Sequence, residues 1–385
     1  MKYFLNKPSL NNLEKKYILD VLKTNWLSSN GKHTREFEKK FVKFLGLKYG
    51  IAVQSGTSAL HVALKTAGVE SGDRVITPNY TCVSNLSCIT QCNATPVIVE
   101  VERETLGLDI NLVKKAIKIY KPKALQLVHV YGYPARDTIK IAKLCKKNKI
   151  ILIEDSSESF GSEIGKKKIG SFGDINVTSV RSEKMIGVGE GGVLSFSKKN
   201  LYEKALLFAS RHAPFRTRED PYWKKYFVNG EGYNYLMPHL LGAVARAQIE
   251  KFSKSMLPKK IKIAEFYKKI FTDSRIEITQ KSTKNHKAVY WLNSVYFKDL
   301  NKKQVNKIGN ELMKLGIEVR SGFWPLNKQT GFNFKYIGNE KNKIRSVSDD
   351  IFYKSLVLPS NIDLQFKDIK NIYSSLIKIL DRHER

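Results

Sequence analysis

The chain has 385 residues, 42% of them hydrophobic and 27% charged, the balance of a globular protein with room for more than one domain. No apolar run reaches the roughly 18 residues that a membrane-spanning helix needs. The four cysteines (Cys82, Cys88, Cys92, Cys145) form no C-x-x-C pair, so neither a zinc ribbon nor a disulfide framework is expected. The formal net charge of +31 admits a polyanionic partner. The basic residues are dispersed, mostly as lysine pairs inside helical patterns, with no basic arm.

In chain order, MKYFLNKPSLNNLEKK lacks the apolar core and cleavage site of a signal peptide. The expectation is a cytoplasmic protein with no metal, no membrane partner and no nucleic acid. A nucleic-acid-binding or regulatory protein is the alternative that the charge keeps open. RVITP (74–78), TPVIVEVE (95–102), KALQLVHVYG (123–132), KIILIED (149–155), INVTSV (175–180) and GVLSFS (192–197) read as buried strands. The first four alternate with helix-length segments, the signature of a largely parallel sheet flanked by helices. From about residue 201 the pattern turns helical, with long helices at 239–252 and 258–271. A strand at 289–297, a helix over KKQVNKIGNELMKLG, a strand over IEVRSGFWP and a helix at 366–381 follow. This predicts an α/β large domain over 1–249 with a mostly parallel central sheet, and a smaller α+β domain over 250–385.

Three stretches carry candidate chemistry. In RSEKMIGVGEGG (181–192), the glycines fit G-x-G-x-x-G, but a strand follows where a dinucleotide site needs a helix. The glycines then read as a turn with positive φ, and Lys184 becomes the residue of interest. A lysine–aldehyde cofactor such as pyridoxal phosphate needs an amine, a carboxylate for its pyridine nitrogen, an anion site and walls for its ring. IILIEDSSES puts Asp155 at the carboxyl end of a strand, where open α/β sheets bind ligands; a plain helix cap is the alternative. QSGTSALHVALKTAG (54–68) puts Gly56, Thr57 and Ser58 at a helix start, which attracts phosphate or is simply a capped helix.

Together these stretches resemble the DegT/DnrJ/EryC1/StrS family of pyridoxal-phosphate-dependent sugar aminotransferases. The resemblance runs through LSSNGKHTREFEKKF (27–41), SGTSAL (55–60), VITPNYT (75–81), VHVYGYP (128–134), IEDSSESFGS (153–162), the Ser179-to-Lys184 spacing with GEGG (189–192), EGYNYLMPHLLGAVARAQ (231–248) and GIEVRSGFWPL (316–326). It implies an aspartate-aminotransferase-like fold (fold type I) and a homodimer with a shared active site. Lys184 matches the lysine that carries the cofactor and shuttles the proton. Asp155 matches the partner of the pyridine nitrogen, and Glu158 lies near the ring hydroxyl. Gly56, Thr57 and Ser179 match phosphate ligands, with Ser58 beside them, and Asn234 matches a residue lent by the neighbouring subunit. Arg211 and Arg320 are candidates for the sugar diphosphate, or ordinary surface arginines. His129 and Tyr131 are candidates to face the substrate, with a packed core role equally open for His129.

The pattern departs at Cys82, where an aromatic residue usually stacks on the ring, at Leu236, where a basic residue is common, and at Ser156 and Ser157, where alanines are usual. With lysine rather than the histidine of the family's dehydratases, the resemblance implies amino transfer from L-glutamate to a nucleotide-linked keto sugar. LSSNGKHTREFE and the GEGG loop look most like the branch that aminates C4 of 4-keto-6-deoxyhexoses.

Overall fold

The computed structural model describes residues 1–213, 228, 230–282, 284–338 and 346–383. Its strands, numbered along the chain, begin with β1 (Tyr49–Val53), β2 (Arg74–Pro78), β3 (Thr95–Val99), β4 (Ala124–Val128) and β5 (Ile151–Asp155). The two-residue β6 (Glu163–Ile164) and β7 (Lys167–Lys168), then β8 (Ile175–Ser179) and β9 (Gly192–Phe196), follow. The remainder are β10 (Ile276–Ile278), β11 (His286–Lys287), β12 (Asn293–Phe297), β13 (Lys335–Ile337) and β14 (Ser355–Leu358).

Eight strands form one sheet in the order β1-β9-β8-β5-β4-β2-β3-β13. Only β9 runs against its neighbours, so the sheet is mostly parallel. β4 and β9 are buried at every residue and β2, β3 and β5 at four of five. That is why they read as continuous apolar runs rather than alternating ones. Helices cover both faces. Phe37 and Phe41 of helix Lys32–Leu45 pack on Phe160 and Phe252 on one side, and helix Gly56–Thr66 packs on the other. Helix His239–Lys251 lies so close to Lys32–Leu45 that a Cβ on Gly242 would collide with Thr34.

The α/β architecture is the one expected, and the six strands anticipated between residues 74 and 197 all form. In the large sheet β1 and β13 were not anticipated: Gly50 interrupts the apolar run of β1, and β13 has three residues with one aliphatic. The strand expected over IEVRSGFWP does not form. That stretch makes single bridges, Ile317 to Tyr3 and Arg320 to Val357, and Gly322 lies where a Cβ would strike the Tyr80 hydroxyl. The strand expected from 289 begins only at Asn293, because residues 289–292 wrap the 130–133 turn, with Val289 N–H donating to Gly132 O at 3.0 Å.

The C-terminal part has its own antiparallel sheet, β10-β12-β14, under helix Phe366–His383. Two segments cross the expected 249/250 boundary. Tyr3 joins the C-terminal core and bonds Glu318 N–H, and β13 extends the large sheet beside β3.

Candidate active site

The carboxyl ends of the parallel strands open into a cavity of about 770 Å³, floored by the large sheet and roofed by residues 291–292, 320–323 and 357. Successive side chains of a strand point to opposite faces, and β5 uses this twice at its end. Glu154 points into the fold and accepts from the N–H groups of Gly170 (2.7 Å), Phe172 (2.7 Å) and Gly173 (2.8 Å), pinning the following loop. Asp155 points into the cavity, 4% exposed, and accepts from Asn85 Nδ2 at 3.1 Å and Ser157 N–H at 3.0 Å. Two fixed donors orient the carboxylate and leave it able to receive a further proton donor from the cavity.

Helix Gly56–Thr66 starts at the cavity wall. Ser55 caps it, its Oγ accepting from Ser58 N–H at 3.0 Å. The first-turn N–H groups of Gly56 and Thr57 have no place in the helical ladder, and the helix dipole adds positive charge there. A Cβ on Gly56 would come within 2.8 Å of Ser179 Cβ, so glycine lets the helix start meet the end of β8. Thr57 Oγ1 donates to Ser84 Oγ at 3.0 Å, and Ser179 lies alongside, making a hydroxyl-lined anion cradle. Ser58 is spent on the cap, its Oγ 2.8 Å from Ser55 Oγ, and does not line the cavity.

Lys184 sits on a tight loop between β8 and β9. Ser182 N–H donates to Gly189 O at 2.9 Å, Gly189 has φ +107°, and a Cβ on Gly187 would collide with Ser182 O. The peptide before the lysine is held from two distant segments, with Trp291 Nε1 donating to Glu183 O at 2.6 Å and Asn6 Nδ2 donating to the same oxygen. Lys184 Nζ lies 3.7 Å from the centre of the Trp291 ring and donates to Glu158 Oε1 at 3.2 Å. Glu158 Oε2 accepts from Tyr131 N–H at 2.9 Å. Burial pushes the Glu158 carboxyl above the usual glutamate range, opposed by the neighbouring Lys184 ammonium and the Tyr131 N–H.

The cavity thus gathers Gly56, Thr57, Tyr131, Asp155, Glu158, Ser179, Lys184 and Arg320 from the expected set. Arg320 is exposed at the rim and pairs with Glu318 at 3.1 Å. His129 stays out of the cavity: its Nδ1 accepts from Ala135 N–H at 2.9 Å, so Nε2 carries the hydrogen toward Glu154 Oε1 at 3.2 Å, a packed role. Arg211 and Asn234 are exposed on another surface, Asn234 bridged to Ser210, and neither lines this chain's cavity.

Cys82 does line the cavity, whereas Tyr80 is buried behind it with its hydroxyl 3.0 Å from that of Tyr131. The aromatic walls are Tyr131, Trp291 and Phe323 instead. Sequence reasoning missed Trp291, Asn85, Ser84 and Asn6. Arg181, in the lysine loop, was also missed; it lines the cavity while paired to Glu183 and Glu190. Among the described residues, no cluster of His, Cys, Asp and Glu is arranged to hold a metal.

Residues 8–377 match the DegT/DnrJ/EryC1/StrS aminotransferase family. The chain belongs to this family. It is 32% identical to a GDP-perosamine synthase of Escherichia coli O157:H7 over 377 residues, 98% of each chain. It is 34% identical to a GDP-perosamine synthase of Vibrio cholerae over 319 residues, 83% of this chain and 84% of the relative. Among solved structures it is similar to the pyridoxal phosphate form of a putative sugar aminotransferase of Streptococcus pneumoniae. That match has a TM-score of 0.88 and 21% identity, and covers 99% of each chain.

The chain is a sugar aminotransferase that uses pyridoxal 5'-phosphate. The cavity fits that cofactor. It places the Lys184 amine, the buried carboxylates of Asp155 and Glu158 and one helix-start anion cradle around the same space, with the Gly56–Ser179 approach leaving no room for a side chain in the cradle.

Proposed function

We propose that this aminotransferase moves the amino group of L-glutamate to C4 of a nucleotide-linked 4-keto-6-deoxyhexose. GDP-4-keto-6-deoxymannose is the favoured acceptor and GDP-perosamine the product. What carries the reading is full-length similarity to GDP-perosamine synthases combined with a lysine held by Glu158 and Trp291 in the cavity. Two other acceptors within the family, a UDP- or dTDP-linked sugar or one aminated at C3, are separated by the test below.

When bound, pyridoxal phosphate supplies an aldehyde that captures amines and a ring that withdraws electrons from the adjacent carbon. In this reading Gly56, Thr57, Ser84 and Ser179 hold its phosphate, and Asp155, fixed by Asn85 and Ser157, keeps its pyridine nitrogen protonated. Glu158 holds Lys184 beside the reacting carbon. Lys184 Nζ takes the proton from Cα of glutamate in the first half and delivers a proton to C4 of the sugar in the second. Tyr131 and Arg320 line the way to the sugar diphosphate. In a homodimer, Asn234 and Arg211 would serve the neighbouring cavity, consistent with their exposure away from their own.

The experiment incubates the loaded enzyme with ¹⁵N-glutamate and, separately, GDP-, UDP- and dTDP-linked 4-keto-6-deoxyhexoses, and follows the products by mass spectrometry and NMR. The reading expects ¹⁵N at C4 of the GDP sugar, with 2-oxoglutarate in equal amount. Label at C3, or on another nucleotide only, would reassign the acceptor. Sugar consumed without gaining ¹⁵N would replace amino transfer with dehydration.

A further inference from the structure

Residues 110–153 contain ten lysines and Arg136 against a single acid, Asp137. The lysines lie on helices Ile110–Tyr120 and Thr138–Lys147 and on the turns that lead into β4 and β5. Both helices place their apolar sides, Val113 and Ala116 on one and Ile141 and Cys145 on the other, in one core on the same face of the large sheet. The lysines are therefore turned outward, and all ten are exposed. Lys140 reaches Asp137 at 2.7 Å; among the described residues the other nine have no ion pair.

The charge collects at one edge. β2, β4 and β5 are neighbours and start side by side, with Lys123 N–H donating to Arg74 O at 2.8 Å and Ile151 N–H to Lys123 O at 3.2 Å. Both helices end here, so Lys118, Lys121, Lys146 and Lys147 join Arg74, Lys123 and Lys149 at the amino-terminal edge of the sheet. The cavity opens at the opposite, carboxyl edge, a five-residue strand away, or roughly 16 Å.

Two of the acids near the basic edge, Asp73 and Asp174, are already engaged, and Glu70 stands exposed beside Asp73. Asp73 accepts from Glu70 N–H, and Asp174 accepts from Leu152 N–H and pairs with Lys198. Ile119 stands among the lysines, 53% exposed.

Cations on long apolar stems with an exposed isoleucine among them match a headgroup layer, where stems and aliphatic tips enter the boundary while ammonium groups meet phosphate. Readers of nucleic acid rely on arginine forks and stacked aromatics. This face has Arg74 alone at its edge, turned toward Tyr120 O at 3.5 Å, and no exposed aromatic ring. We propose that this face docks on an anionic phospholipid surface, holding the enzyme peripherally with its cavity turned away from the lipid and open to soluble substrates. Such docking departs from the sequence-based expectation of no membrane partner. Among the described residues, no helix is long and apolar enough to cross a membrane.

The test is co-sedimentation of the full pyridoxal-phosphate-loaded chain with phosphatidylcholine vesicles, with and without about one-third phosphatidylglycerol, at about 0.15 M salt. Binding is expected to the anionic vesicles alone and to fade as salt rises. The triple variant Lys114→Glu, Lys118→Glu, Lys147→Glu should weaken it at least about tenfold. The charge-matched triple variant Lys303→Glu, Lys307→Glu, Lys314→Glu, on exposed positions of helix Lys302–Lys314, should stay within about threefold of the parent. Circular dichroism of both variants should match the parent. No binding to anionic vesicles would overturn the proposal. So would equal weakening by both variants, which would leave only net charge at work. Tighter binding to a DNA duplex, lost in the first variant, would replace lipid with nucleic acid.

Discussion

At the carboxyl edge of the large sheet, Asp155 is held by Asn85 and Ser157, Glu158 by Tyr131 N–H, and Lys184 by Glu158 and Trp291, all within a cavity that leaves the lysine side chain 13% exposed. At the amino edge of the same strands, Lys118, Lys121, Lys123, Lys146, Lys147 and Lys149 stand in water with no ion pair among the described residues. Both edges belong to the same parallel strands, so the contrast is not one of sheet architecture. A charge taken out of water must be compensated by fixed partners, and those partners give the geometry that chemistry needs. A charge left in water acts only through its field and is screened within about 8 Å at physiological salt. The +31 of the chain therefore bears on association, and the reaction rests on a few buried groups.

Variants at the two edges should separate cleanly. Lys184→Ala should lower amino transfer by on the order of a thousandfold or more, read as the rate of 2-oxoglutarate release, and leave vesicle binding unchanged.

Lys260 tests the rule from the side of stability. It is fully buried, burial lowers its pKa to about 7, and its amine donates to Ser360 O. Below pH 7 the folded and unfolded states both carry the proton, and the penalty of a buried charge is complete. As pH rises from about 7 to about 10 the folded state loses the proton first, so stability should increase. Lys260→Met should raise apoprotein stability by about 2 kcal/mol at pH 7, after allowing for the orphaned Ser360 carbonyl, and flatten that rise. Denaturant melts at several pH values measure both.

Glu158→Gln should lower kcat about tenfold. Because burial raises the Glu158 carboxyl, the parent should lose activity on acidification at a pH above the ordinary glutamate value of about 4.3, and the variant should lack that limb. Trp291→Phe keeps a ring over Lys184 but removes the donor to Glu183 O. A several-fold fall in kcat at constant KM is expected, with a larger fall for Trp291→Leu. The smallest effect belongs to the amino edge: the Lys114, Lys118 and Lys147 triple variant should keep kcat/KM for soluble substrates within about twofold.

Asp155 and the Ser55–Ser58 turn were legible because local chemistry marks them, an apolar run ending in an acid and a small-residue helix start. Lys184 was legible from the glycines that fold its loop. Trp291 and Asn6 were not, because they reach Glu183 from 108 and 177 residues away and nothing in their own neighbourhoods signals the contact. His129 sat at the end of a central strand, as expected, but the turn at Ala135 and the buried Glu154 claim both of its nitrogens. IEVRSGFWP had the alternation of a strand, yet its closeness to Tyr80 at Gly322 keeps it off any ladder.

The measurement that bears most directly on the central claim is the visible absorption spectrum of the protein with pyridoxal phosphate, before and after L-glutamate, in the parent and in Lys184→Ala. The account predicts a visible band in the parent that bleaches with glutamate and returns on adding the accepted keto sugar. In Lys184→Ala that lysine-dependent cycle should be absent. A parent band indifferent to glutamate, or a full cycle that survives without Lys184, would contradict it.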